Sequence, residues 1–241
     1  MADRRRFATT RWSLVLAAGR PEQPEAARAL EELCAQYWHP VYAYARRRGN
    51  SAEDARDLTQ GFFADMLEKG SLVRADPQRG RFRTFLLAAM KNHVAGQWRR
   101  GQALKRGGGF ELLQLDFDSG EISYQATSAN ELSPEAAYDR RWALDILDQA
   151  LKELRDEYRQ TGNEDVFDAL APSVAADPGA LPYADLAKQL ERSQGALRTA
   201  ASRLRARWRE RVVRLVTETV DTPADLEDEL RALIDALDGS L

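Results

Sequence analysis

One stretch, Leu181 to Leu215, limits the folds open to this chain more than any other. It reads LPYADLAKQL, then ERS, then QGALRTAASRLRARWRERVVRL. In the first part Tyr183, Leu186, Ala187 and Leu190 follow the i, i+3, i+4, i+7 spacing of a short helix with one buried face. Glu191 and Arg192 mark a turn, and the Ser193 hydroxyl can accept from a free backbone N–H, which makes it the expected N-cap of the next helix. There Leu197, Ala201, Leu204, Trp208, Val212 and Leu215 form an apolar stripe, while Gln194, Arg198, Ser202, Arg205 and Arg209 share another face. A short helix, a tight turn and a long basic helix make the helix-turn-helix pattern. From Arg192 to Arg214 eight arginines stand against one acid, Glu210, although the formal net charge of the chain is -3. Screening confines distant repulsion to roughly 10 Å, so a local basic helix in an acidic chain still serves as a nucleic-acid footprint. The plainer alternative is a solvated arginine-rich face.

The remaining composition mainly excludes. At 241 residues the chain is long enough to bury a core and to hold one or two domains. A single cysteine, Cys34, rules out an internal disulfide and a cysteine-based zinc cluster, and His39 and His93 have no ligand-like spacing, so no metal or other cofactor is expected. The start MADRRRFATTRWSLVLAAG has too short an apolar run, interrupted by Thr and Ser, for a signal peptide. The expectation is a cytoplasmic protein with no membrane partner. The Gly107 to Gly109 triplet lacks the Gly-Lys-Ser/Thr of a phosphate loop. With no nucleophile beside a base, no catalytic residue and no small-molecule substrate are expected.

Read in order, the chain is helical. Thr10 to Ala18 forms a short helix closed by Gly19, and a run from Pro24 to Gly49, buried through Ala29, Leu33, Tyr37 and Val41, meets Pro40, which is expected to kink or break it. Ser51 opens the next helix with Asp54 in a capping-box arrangement, and Ala55, Leu58, Phe62 and Met66 are its stripe. Glu53, Asp54, Asp57, Asp65 and Glu68, with Gln60 beside them, gather on a flank that is either solvated or docks a basic partner. A third helix, Phe82 to Arg100, carries Phe82, Phe85, Leu86, Ala89, Met90 and Val94 on its apolar side. Its Arg81, Arg83, Lys91, Asn92, Gln97, Arg99 and Arg100 are polar, and cations next to an aromatic such as Trp98 suit a single strand.

Residues 101–132 then read as a flexible acidic linker without helical period, although the alternation of Leu113, Leu115 and Phe117 also permits a small hairpin. Ser133-Pro134-Glu135 starts a long helix with Leu144, Leu147, Leu151, Leu154 and Tyr158 in its stripe, and Asn163 caps a shorter one stopped by Pro172. The last helix is acidic, with Leu226, Leu230, Leu233, Ile234 and Leu237 apolar. The fold class is therefore all-α, with two helical domains at residues 1–100 and 133–216, a linker at 101–132 and an acidic extension at 217–241.

Together these segments resemble a bacterial RNA polymerase sigma factor of the two-domain, extracytoplasmic-function type, over roughly Ala26 to Arg100 and Ser133 to Leu215. Asp57-Leu58-Thr59-Gln60 followed by Phe62 is similar to the family's DLxQ-type motif, which docks on a coiled coil of the polymerase largest subunit. The resemblance implies a core-polymerase contact by Asp54, Asp57, Leu58, Gln60 and Phe62. Phe82-Arg83-Thr84-Phe85-Leu86, Asn92 and Trp98-Arg99-Arg100 match the family's FRxWL helix, which implies that Arg83, Lys91, Asn92, Trp98, Arg99 and Arg100 hold the opened minus-ten element of promoter DNA. Tyr183 to Ala187, Ser193, Gly195 to Thr199 and Arg203 to Arg205 match the motif that reads the minus-thirty-five element. The implied contacts are Ser193, Gln194, Arg198, Thr199, Ser202, Arg203 and Arg205, with Arg209 on phosphate. The family also implies that the acidic linker threads near the active-site cleft and RNA exit path of the polymerase.

Two departures from the family pattern stand out. Gly61 replaces the acid that commonly follows the DLxQ glutamine, which is expected to weaken docking. Residues 218–241 carry eight acids and one arginine, opposite in sign to the helix before them, and read either as a packing helix or as a segment that folds back over the basic surface. Control by a serine/threonine kinase or an anti-sigma protein is known in the family, and Thr59 is the candidate phosphorylation site, although the helical wheel sets it across the apolar stripe from the acidic flank. The competing reading is a stand-alone helix-turn-helix regulator of duplex DNA, which needs neither the docking helix nor the basic aromatic helix.

Overall fold

Every α-helix expected from the sequence is present in the computed structural model, which describes residues 11–20, 23–68, 70–76, 80–99, 115–127, 132–175, 179–220 and 222–238. Regular structure among the described residues is entirely helical: α1 (Arg11–Ala18), α2 (Ala26–Arg47), α3 (Ala52–Glu68), a 3-10 turn (Ser71–Arg74), α4 (Phe82–Arg99), α5 (Phe117–Thr127), α6 (Pro134–Gln160), α7 (Glu164–Val174), α8 (Tyr183–Gln189), α9 (Gln194–Thr217) and α10 (Pro223–Asp238). By contacts the chain forms two units, Met1–Asp145 together with Val216–Leu241, and Ile146–Leu215. Helices α6 and α9 run across the division, and α10 belongs to the first unit.

The first unit is built on aromatic residues of α2. Tyr37 meets Phe82 edge-on at 5.1 Å and Trp12 meets the same ring at 5.9 Å, and Tyr37, Val41, Leu86, Met90, Tyr138 and Trp142 are buried around them. Pro40 does not break α2, which continues from Ala26 to Arg47. A proline inside a helix costs about 3 kcal/mol, and the buried Tyr37, Trp38, Val41, Tyr42 and Tyr44 around it, each worth about 1.5–3 kcal/mol, outweigh that cost. Pro172 likewise lies inside α7, which ends at Val174, and Asn163 makes no side-chain cap there. Ser51 caps α3 as its spacing predicts: Asp54 N donates to Ser51 Oγ at 3.0 Å, and Ser51 Oγ donates to Asp54 Oδ2 at 2.7 Å.

The expected extended linker is corrected in part. Residues 101–114, including the glycine-rich run, and residues 128–131 lie outside the described residues, but Phe117–Thr127 is helical and no hairpin forms at Phe117. Helix α5 is fixed on α2 by contacts distant in sequence. Phe117 is buried against Trp38 and Tyr42 with ring centroids at 4.9 and 5.6 Å. Glu121 accepts from Tyr42 Oη at 2.5 Å and from Arg46 Nε and Nη2 at 2.8 Å each. The hydrogen bonds from Arg46 hold the Glu121 carboxyl down at about 2, and burial together with the Glu121 contact pushes the Tyr42 phenol up.

The second unit packs α6, α7, α8 and α9 around Leu154, Val166, Phe167, Leu170, Val174, Leu186, Leu197, Ala201 and Leu204. Tyr158 and Trp208 lie against this core, and Trp208 Nε1 donates to the Leu147 carbonyl at 3.3 Å.

Candidate nucleic-acid interface

In the second unit the turn between α8 and α9 is set by two local devices. Glu191 takes a left-handed φ of 52°, and Arg192 N donates to Ala187 O at 3.1 Å, the bond that closes a Schellman-type helix end. Ser193 then caps α9, accepting from Ala196 N at 3.2 Å, as its position predicts. With Leu197, Ala201 and Leu204 buried, the opposite side of α9 presents Gln194, Arg198, Thr199, Ser202, Arg203 and Arg209, all exposed. Thr199 Oγ1 donates to Gly195 O at 3.0 Å. Arg192, Arg198, Arg203 and Arg209 have no ion pair among the described residues.

The eight arginines are not equivalent. Arg207 and Arg211 bridge to Glu157 of α6, and Arg211 and Arg214 bridge to Glu153. These carboxylates neutralise one side of α9 and leave the Arg198 side as its cationic face. Arg205, also expected on the DNA face, is half-buried, and its Nη2 reaches the Ser173 carbonyl near the end of α7 at 3.4 Å. One turn apart on the helix, Arg207, Arg211 and Arg214 form a row opposite Glu153 and Glu157, a match that the sequence carries but that emerges only when α6 and α9 are paired.

In the first unit the candidates separate by exposure. On α3, Asp54, Asp57 and Gln60 are exposed and Leu58 is half-buried. Phe62 is only 2% exposed, so it is a core residue of α3 rather than a docking contact. Thr59 is fully buried and its hydroxyl donates to Ala55 O at 2.7 Å, which corrects its candidacy as an accessible phosphorylation site. A phosphate there requires α3 to lift from its packing first, because nothing at that position is open to solvent.

On α4 the candidates divide between two sides. Arg83 is corrected from a DNA contact to a buried tie: Nε and Nη2 donate to Glu229 of α10 at 2.7 and 3.0 Å, Nη1 donates to Asp139 of α6, and the guanidinium lies 4.5 Å from the Trp142 ring centroid. Lys91 is exposed and pairs with Glu135 at 2.8 Å, so α6 runs antiparallel beside α4 with one acid opposite each cation. That bond holds the Glu135 carboxyl below its usual range. Asn92 faces the other way, into a groove of ≈ 380 Å³ lined also by Phe62, Asp65, Met66, Phe85 and His93, where His93 Nδ1 lies 3.0 Å from Asp65 Oδ2. Trp98 and Arg99 close α4, but their side chains, like Arg100, lie outside the described residues.

The arrangement offers a cationic helix face in one unit and, in the other, an acidic helix flank and a polar-rimmed groove. It contains no candidate metal cluster among the described residues, and none of their helices is long and apolar enough to cross a membrane. No curated protein and no solved structure matches the chain. The family model for Sigma-70 region 2 matches residues 33–103, which take in most of α2 and all of α3 and α4, and members of that family are transcription initiation factors rather than enzymes. Region 2 implies binding to core RNA polymerase and recognition of promoter DNA. Over residues 33–103, less than a third of its length, the chain is thus similar to region 2 of the sigma-70 family RNA polymerase sigma factors.

Proposed function

We propose that the chain is a sigma factor of the two-domain, extracytoplasmic-function type, which joins core RNA polymerase and directs initiation at a specific set of promoters. The single observation that carries the reading beyond region 2 is the capped turn from α8 into α9, with Arg198, Arg203 and Arg209 exposed on one side of a helix whose other side is buried. A second helix of this kind fits the major groove. Arg198 forks onto a guanine edge, where a bidentate contact discriminates by about 1–3 kcal/mol, while Arg203 and Arg209 neutralise phosphates.

In the front unit, the docking face comprises Asp54, Asp57 and Gln60 with Leu58 at its edge. Asn92 and its groove serve the opened minus-ten strand, and Lys91 joins when it leaves Glu135. The test is capture of core polymerase by the purified chain, followed by run-off transcription. The reading requires promoter-dependent transcripts that vanish when Asp57 and Gln60 are replaced by alanine. Failure to join core polymerase at low salt while duplex DNA is still bound unaided would instead identify a stand-alone regulator.

A further inference from the structure

Two arginines at the start of α4 converge on one carboxylate. Glu229, fully buried, accepts from Arg83 Nε at 2.7 Å and from Arg83 Nη2 at 3.0 Å, and forms an ion pair with Arg81, whose Nε lies 3.0 Å away. Asp228 stands 3.9 Å from Arg81 Nη2. Paired guanidiniums that close on two oxygens of one anion suit a phosphodiester as well as a carboxylate, because both present two acceptor oxygens to the planar fork. The anion that fills this seat comes from α10, in a segment of residues 218–241 with eight acids and one arginine, and it fills it on the same helix that carries Lys91 and Asn92.

We propose that Arg81 is a phosphate-binding residue for single-stranded DNA, and that Glu229 is an internal stand-in for that phosphate, so that DNA gains Arg81 only as α10 withdraws. The proposal rests on the single-strand reading of α4 given above. Arg83 is the positioning residue: Asp139 and Trp142 hold it in place whether or not Glu229 is present. Arg81 is one-quarter exposed, which leaves it a path to solvent. Exchange of one anion for another also avoids leaving a buried cation unpaired, the step that makes simple loss of a buried partner costly. Beyond Glu229, α10 is held by buried Leu233 and Ala236, by half-buried Leu226, Leu230 and Leu237, and by Arg140 Nη1, which donates to the Leu237 carbonyl at 2.8 Å. Ile234, grouped with the apolar residues by the sequence, is 56% exposed and adds little to that hold.

The test is amide hydrogen exchange of the full chain with and without a mixed-sequence single-stranded DNA oligonucleotide, beside equilibrium binding of the same oligonucleotide to wild type, Glu229→Gln and Arg81→Ala/Glu229→Gln. The expected result is faster exchange across residues 223–238 when DNA binds wild type. Glu229→Gln should bind several-fold more tightly, with a salt dependence steeper by about one ion, and the double variant should lose the gain. Unchanged or slower exchange in α10 while wild type binds the oligonucleotide overturns the proposal and leaves the reading of α4 standing. That measurement needs no variant, so it decides the matter even if Glu229→Gln folds poorly. Absence of oligonucleotide binding by both wild type and Glu229→Gln removes the single-strand reading of α4 and the proposal together.

Discussion

Gly120 lies against Trp38 so closely that a Cβ added at position 120 would stand 2.5 Å from Cη2 of the indole. The ring has little room to yield, since Phe117, Tyr42 and His39 surround it. Gly120→Ala therefore sets a helix-propensity gain of at most about 1 kcal/mol against an overpacking cost of about 1–3 kcal/mol. The net expectation is destabilisation of α5, read as a lower urea midpoint and a shift in Trp38 fluorescence. Gly195 on α9 has nothing within 4 Å of an added Cβ, so Gly195→Ala is the control that should not destabilise. Equal stability of the two variants would mean that α5 does not rest on Trp38.

Acid should release the same helix. The Glu121 carboxyl is held down at about 2 by Arg46, against an ordinary value of 4.5. A carboxyl depressed in the folded state contributes stability that is fully present above its unfolded value and is lost as pH falls through the folded one. The window is thus from about 4.5 down to about 2, and α5 should undock across it. Amide exchange within residues 117–127, corrected for intrinsic rate, is the measurement. Glu121→Gln should remove most of the pH dependence while lowering protection already at neutral pH.

What the sequence showed and what it hid follow from the range of the interactions. Ser51 with Asp54, and Ser193 ahead of Leu197, act over three or four residues, so both helix starts were legible. Phe62 is legible too: the spacing Ala55, Leu58, Phe62, Met66 sets it in the apolar stripe, and its burial agrees with that spacing. The buried line passes through Thr59 rather than Leu58, a rotation that depends on how α3 meets its neighbours. Helix α5 left one local trace, Asp116 three residues before Ser119, from whose N–H it accepts at 3.1 Å, but the anchors that hold the helix on α2 lie 75 or more residues away. Arg83 and Lys91 look alike locally, and it takes Asp139 and Glu229, 56 and 146 residues further on, to make the first a buried tie.

Thr59 gives a direct check on how α3 is packed. Its hydroxyl is fully enclosed and satisfied by Ala55 O, so Thr59→Val, nearly the same shape, should change stability by about 1 kcal/mol or less. Thr59→Glu places an unpaired carboxylate in the same space and should cost at least about 3 kcal/mol. Thermal unfolding of the two variants separates the cases. A glutamate variant as stable as wild type would show that this side of α3 opens readily, and accessibility of Thr59 to a kinase would then return.

The division of the α9 arginines makes the sharpest contrast, because residues of one type on one helix are expected to answer opposite assays. Arg198 is exposed and unpaired among the described residues, whereas Arg211 lies about one-third exposed between Glu153 and Glu157. Arg198→Ala should leave the unfolding midpoint within experimental error. It should weaken binding to promoter duplex by about 1–3 kcal/mol if the guanidinium reads a base, or flatten the salt dependence by about one ion if it holds a phosphate. Arg211→Ala should do the reverse, costing about 0.5–1 kcal/mol of stability after allowance for screening and leaving the salt dependence of DNA binding unchanged. Equal losses of DNA affinity from both substitutions would mean that the Glu153 and Glu157 pairs open on DNA, so that the whole arginine run, and not one side of it, faces the duplex.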